Sequence, residues 1–131
     1  FIPVERDRLL QGLIDGTGDV AAGNITVTPE RQELVDFTDP IASDVKDVVV
    51  TGPGAPQLAS LDDLAGKKLV VRGSSSYFEH LKALNDSLVA KGLQPIVLEP
   101  ANEGLESEDL LEMVNAGLVP ITVVDRYLAN F

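Results

Sequence analysis

Lys68-Leu69-Val70-Val71-Arg72-Gly73-Ser74-Ser75-Ser76 is an apolar run that breaks at a glycine into three hydroxyls. The run Lys68 to Arg72 reads as a buried strand. Ser75 suits the start of a helix running to Lys91, with Gly92 as its stop. The pattern then repeats. Pro95 to Leu98 reads as a strand, Ser107 to Ala116 as a helix followed by Gly117, and Val119 to Val124 as a strand. Asp125 to Asn130 begins another helix. Strands that alternate with helices predict an α/β fold, with a βαβαβ unit, a parallel sheet and right-handed crossovers.

Upstream, Gly52-Pro53-Gly54-Ala55-Pro56 is a cluster of structure breakers. It divides the chain into a first part (1–51), a linker (52–59) and a second part (60–131). Ser60-Leu61-Asp62-Asp63-Leu64 opens the second part as a short capped helix. In the first part, residues 5 to 15 place Leu9, Leu10, Leu13 and Ile14 on one helical face. Asp19 to Ala22 reads as a short buried strand, Asn24 to Thr28 as its end or a second piece, and Pro29 to Leu34 as a helical turn. Val45 to Thr51 is a β-branched strand.

The chain has 131 residues, 44% hydrophobic and 24% charged, a balance that reads as globular rather than disordered. Its net charge of -11 argues against nucleic acid or an anionic membrane surface as partner. No cysteine is present, so no disulfide or thiolate metal site is expected. No apolar run approaches the length of a membrane span. The sequence starts at Phe1 and reads as a mature or excised segment.

Three places carry binding chemistry. In Asn24-Ile25-Thr26-Val27-Thr28-Pro29-Glu30-Arg31, a strand end and a hydroxyl precede a proline suited to the first turn of a helix. Free backbone N–H groups and the two-pronged guanidinium of Arg31 together make a site for a small carboxylate. Gly73-Ser74-Ser75-Ser76 offers N–H groups and hydroxyls to an anion, or serves only as a serine helix cap. Asp125 follows a strand, where ligands of open α/β sheets bind, and is equally suited to capping a helix.

Other patterns carry less. Ser76 and His80 lie four apart in a helix, but no nucleophile elbow surrounds them. Asp15, Thr17 and Asp19 lack the rest of a calcium loop. Glu106, Glu108, Asp109 and Glu112 form an acidic helix start suited to a solvated face. No carboxylate is marked by spacing as a general acid, no metal cluster is present, and no cofactor or catalytic residue is expected.

Thr26-Val27-Thr28-Pro29-Glu30-Arg31 followed by Val35-Asp36-Phe37-Thr38-Asp39-Pro40 resembles the signature of the family 3 extracellular solute-binding proteins, two-lobed periplasmic receptors for amino acids. Val4-Glu5-Arg6-Asp7-Arg8-Leu9-Leu10, Gly18-Asp19-Val20-Ala21-Ala22, Ser74-Ser75-Ser76-Tyr77 and the run Glu108 to Leu118 are similar to the solute-binding-like domain of membrane-bound lytic murein transglycosylases of the F type. The resemblance implies that Arg31 holds a ligand α-carboxylate, aided by Thr26, Ser74 and Ser75. It implies that Asn24 (through its carbonyl) and Asp125 meet the ligand ammonium. Leu118-Val119-Pro120-Ile121 stands where many amino-acid receptors carry an Asp-Ala pair, and this fits the transglycosylase-like branch better.

The resemblance further implies a periplasmic location, with outer-membrane anchoring of the full-length protein. The implied ligand is an amino acid or muropeptide. The implied partner is an attached lytic domain or, in the alternative, an amino-acid ABC transporter. By the same resemblance, the first lobe's opening strand and its returning segment lie outside the chain, and self-association of so incomplete a lobe is expected.

Overall fold

A computed structural model of the chain describes residues 1–130. The chain forms two compact units, Phe1–Asp44 and Val45–Phe131.

The first unit is built from short local elements. A single 3-10 turn, Arg6–Arg8, leads into α1 (Leu9–Ile14). Leu9, Leu10 and Leu13 are half-buried along it and Ile14 is exposed. The second helix, α2 (Pro29–Gln32), starts as the sequence predicts. Thr28 is its N-cap, Pro29 sits in the first turn, and the Thr28 hydroxyl accepts from the Arg31 N–H at 3.3 Å. The strands expected at 19–22 and 24–28 do not form, and Val20 is exposed rather than buried. A strand is stable only against a partner that takes up its N–H and C=O groups. Among the described residues of this unit no other strand is available.

The second unit holds the sheets. Its elements are β1 (Asp47–Thr51), a 3-10 turn Leu61–Leu64, β2 (Lys68–Arg72), α3 (Ser76–Ala90), β3 (Val97–Ala101), α4 (Ser107–Asn115), β4 (Ile121–Asp125) and α5 (Arg126–Ala129). The β2-α3-β3 unit is parallel as predicted, with Lys68 opposite Val97 and Arg72 opposite Ala101.

Two features differ from expectation. First, β3 begins at Val97 rather than Pro95. Asn85 of α3 takes over the preceding residue, accepting from the Ile96 N–H at 2.7 Å and donating to its carbonyl at 3.1 Å. Second, β4 does not extend the parallel ladder into three strands. It pairs antiparallel with β1, Asp47 opposite Asp125 and Val49 opposite Val123. The strand that sequence placed at the end of the first part therefore packs with the second unit. Its row of valines gains ladder hydrogen bonds against β4 and is half-buried there. The link from β4 to β2 is a side chain: the buried Thr122 hydroxyl donates to the Val70 carbonyl at 2.7 Å.

The core follows from strand alternation. Leu69 and Val71 face Tyr77, Leu81 and Leu88 of α3, joined by Leu64, Ile96, Ile121 and Val123. Val70 points to the other side, against Leu110 and Val114 of α4 and Val119. Helices therefore cover both faces of β2. Ser74 and Glu103 follow the carboxyl ends of β2 and β3, and Asp125 is the last residue of β4.

Candidate functional site

The first unit supplies Arg31. It is 9% exposed, although guanidinium groups ordinarily reach water. Its backbone N–H is tied to the Thr28 hydroxyl, and its Nη1 donates to the Thr26 carbonyl at 3.2 Å. The capping of α2 and the anchoring of the guanidinium are thus one local construction, spanning six residues. With one arm held, the orientation of the planar fork is fixed. Thr26 is brought to Arg31 through its backbone, with its side chain exposed. Asn24 is exposed and holds a left-handed backbone, φ 54°. That conformation is one asparagine tolerates better than most residues.

The second unit supplies the loop after β2. Ser75 realises the capping alternative. Its hydroxyl accepts from the Phe78 N–H at 3.2 Å and donates to the Arg72 carbonyl at 2.7 Å, and its own N–H is bonded to the same carbonyl. Ser74 is different. Its N–H donates to Glu103 Oε1 at 3.1 Å and its hydroxyl to Glu103 Oε2 at 2.5 Å. The two donors thus hold a carboxylate, one from the chain itself. A Cβ at Gly73 would come within 3.3 Å of Glu103 Oε1, so the glycine makes room for that carboxylate.

Asp125 ends β4 and stands at the N-cap of α5, yet its side chain makes no capping hydrogen bond. Its backbone N–H donates to the Tyr77 hydroxyl at 3.1 Å. Burial pushes the Asp125 carboxyl above the usual carboxylate range. A side-chain interaction of the Tyr77 hydroxyl with the carboxylate works against that shift, and the Asp47 carboxylate opposite it on β1 adds to it. Burial, and then the charge of Asp125, also raises the Tyr77 hydroxyl. An acid held this way gains from a cationic partner, which would restore its charge.

Three participants are not legible in the sequence reading. Glu103 lies in a tight turn where the Asn102 side chain accepts from the Gly104 N–H at 2.9 Å, and nothing local marks it. Arg72 is 5% exposed. Its Nη1 is buried without a hydrogen-bond partner, and its Nη2 lies 3.8 Å from Glu106. A charged residue closing the apolar run Leu69-Val70-Val71 is a signal that could have drawn attention to it. Asp47 meets Asp125 only through the β1–β4 register, and it bonds His80 Nδ1 at 2.6 Å. That contact gives the His80 ring an acidic neighbour in place of the Ser76 pairing raised by spacing. Glu106, Glu108, Asp109 and Glu112 lie on an exposed face as expected. Asp109 accepts from the Glu106 N–H at 2.7 Å and so closes a capping box at the start of α4. No group of three or more metal-ligating side chains occurs among the described residues.

Residues 1–127 match the profile of the bacterial extracellular solute-binding proteins, family 3. A membrane-bound lytic murein transglycosylase F of Maricaulis maris is 32% identical over 123 residues, covering 94% of this chain and 25% of that protein. Its counterpart in Ectopseudomonas mendocina is 32% identical over 114 residues, covering 87% and 22%. The chain thus spans about a quarter of the length of the curated relatives it matches. Among solved structures, an ancestral arginine-binding protein bound to arginine superposes with a TM-score of 0.76 at 26% identity, over 99% of this chain and 53% of the other. A chain from work on glutathione import in Streptococcus mutans gives a TM-score of 0.79 at 21% identity, over 98% and 51%, a likeness of fold alone. The α/β architecture is that of amino-acid-binding receptors, and the chain belongs to the family 3 bacterial extracellular solute-binding proteins.

Proposed function

We propose that the chain forms part of a two-lobed domain that binds a small amino-acid-like or cell-wall-peptide carboxylate. Its parent would be a protein like lytic murein transglycosylase F, in which the domain regulates an attached murein-cleaving domain. The observation that carries this reading is Arg31, a buried guanidinium with one arm fixed on the Thr26 carbonyl. It takes the ligand carboxylate in two-pronged fashion. Ser74 offers N–H and hydroxyl to the same kind of group, with Ser75 shaping the loop. Asp125 and the Asn24 carbonyl take the ammonium. The ancestral receptor bound to arginine, and a second form bound to glutamine at 28% identity, support an α-amino-acid ligand. The linker between the lobes is residues 52–59, and the domain is periplasmic, anchored through its parent to the outer membrane. Ligand favours whichever arrangement of the lobes it contacts more.

A free-standing transport receptor is the second reading. The ABC-transporter binding protein of Streptococcus pneumoniae, with histidine bound, supports it by fold (TM-score 0.76, 22% identity). The gene decides between the two: a lytic domain downstream favours regulation, and a stop soon after the second lobe favours transport.

Binding is tested by thermal shift of the complete two-lobed protein with the L-amino acids and with muropeptides, since a ligand of the folded state raises its stability. Arg31→Ala should abolish the shift, a loss of about 2–5 kcal/mol in binding. Arg31→Lys should restore little, because a point charge cannot replace the fork. Undiminished affinity in Arg31→Ala would remove the central assignment.

A further inference from the structure

The geometry points to Glu103 as a built-in competitor for the ligand carboxylate at Ser74, and so as a residue that sets which carboxylates the site admits. The inference rests on the carboxylate-binding reading of Ser74 and goes beyond it.

Both Glu103 oxygens are engaged, Oε1 by the Ser74 N–H at 3.1 Å and Oε2 by its hydroxyl at 2.5 Å. These are the two donors that a ligand carboxylate would use. The contact spans 29 positions of sequence, so helix capping does not produce it. It is prepared on both sides. Opposite Ser74, the turn after β3 presents Glu103: Asn102 accepts from the Gly104 N–H through its side chain at 2.9 Å and from the Leu105 N–H through its carbonyl at 3.0 Å. On the other side, Gly73 leaves open the space that a Cβ would take, 3.3 Å from Oε1. Ser75 plays no part in the exchange, because its N–H and hydroxyl serve Arg72 and Phe78.

A tethered carboxylate competes at an effective concentration far above that of a free solute. An incoming carboxylate meets donors already satisfied and must displace Glu103. Its apparent affinity falls by the fraction of molecules in which the donors are open. A simple carboxylate with no second hold on the protein is therefore rejected. One that is also gripped elsewhere can win the exchange. Selectivity arises from the competitor as well as from the pocket wall.

The test uses the longer protein that carries this chain, labelled with 15N, with the amide of residue 74 as reporter. The probes are sodium acetate and, separately, acetamide, its uncharged counterpart. In Glu103→Gln the ionised acceptor becomes a neutral one, and acetate should bind about tenfold more tightly than to the parent protein. Acetamide, whose carbonyl meets the same donors, should gain by no more than acetate, which also escapes the repulsion of the Glu103 charge. Glu103→Ala, which removes the acceptor altogether, should give an equal or larger gain and stands in if the glutamine variant does not fold. Equal acetate affinity in parent and variants overturns the inference while leaving Ser74 as a carboxylate site. A gain for acetate that is undiminished when Ser74→Ala is added to Glu103→Gln also overturns it, since a loosened loop would produce a gain that does not need the Ser74 hydroxyl. Silence of the Ser74 amide toward acetate in every protein overturns the inference together with the reading it rests on.

Discussion

The two units are stabilised in different ways. In the second, fourteen hydrophobic side chains from Leu64 to Val124 are buried, on both faces of β2. In the first, the buried residues among those described are Thr28 and Arg31, both polar and both in the candidate site. Phe1, Ile2, Val20 and Ile41 of that unit are strongly exposed. The second unit therefore has a core that supports the candidate residues at its strand ends. In the first, local order around Arg31 comes from a helix cap and a guanidinium anchored on backbone. Burial of apolar surface is the main source of stability, so the two should respond very differently to the same kind of change.

The largest expected effect is in the second unit. Leu88 is completely buried on α3. Leu88→Ala should cost about 2–5 kcal/mol in denaturant unfolding, while Leu10→Ala on half-buried α1 should cost about 1 kcal/mol or less. Equal losses would erase the contrast.

A smaller effect belongs to the cap of the first unit. Thr28→Ala removes the acceptor for the Arg31 N–H and should cost about 1 kcal/mol locally. Hydrogen exchange should speed up at Arg31 and its neighbours while amides of β2 and β4 stay as protected as before. A uniform change across both units would mean that the first unit is not organised by its cap.

The smallest effect has the opposite sign. The Asp125 carboxyl titrates above its unfolded value, so folding disfavours its ionised form. That destabilisation is absent at pH below the ordinary carboxylate range. It grows as pH rises through the folded value, and is complete above it. Asp125→Asn should therefore raise the melting temperature slightly at neutral pH, flatten this part of the pH dependence, and weaken ligand binding. A lower melting temperature at pH 7 would show that the carboxylate stabilises the fold.

The contrast between the units also sets what could be read in advance. The helices α3 and α4, the strand β2, the α2 start at Thr28-Pro29 and the solvated acidic face of α4 depend on residues within a few positions of one another. Periodicity and capping chemistry report such features directly. The anchoring of Arg31 is equally local, since Thr26 and Thr28 lie five and three residues away.

The missing strands at 19–28, the antiparallel pairing of β1 with β4 and the Glu103 carboxylate on Ser74 were not legible. Each depends on what a segment meets far along the chain. A β-branched stretch such as Val48-Val49-Val50 announces a strand but not its partner, because backbone donors and acceptors are the same in every residue. A glutamate in a turn announces a charge but not the donors that will hold it. Sequence alone determined the helices α3 and α4, the strand β2 and the capped start of α2. Only the tertiary structure decided which strands pair, and that the Ser74 donors hold the chain's own carboxylate, because those outcomes rest on contacts between residues 29 to 78 positions apart.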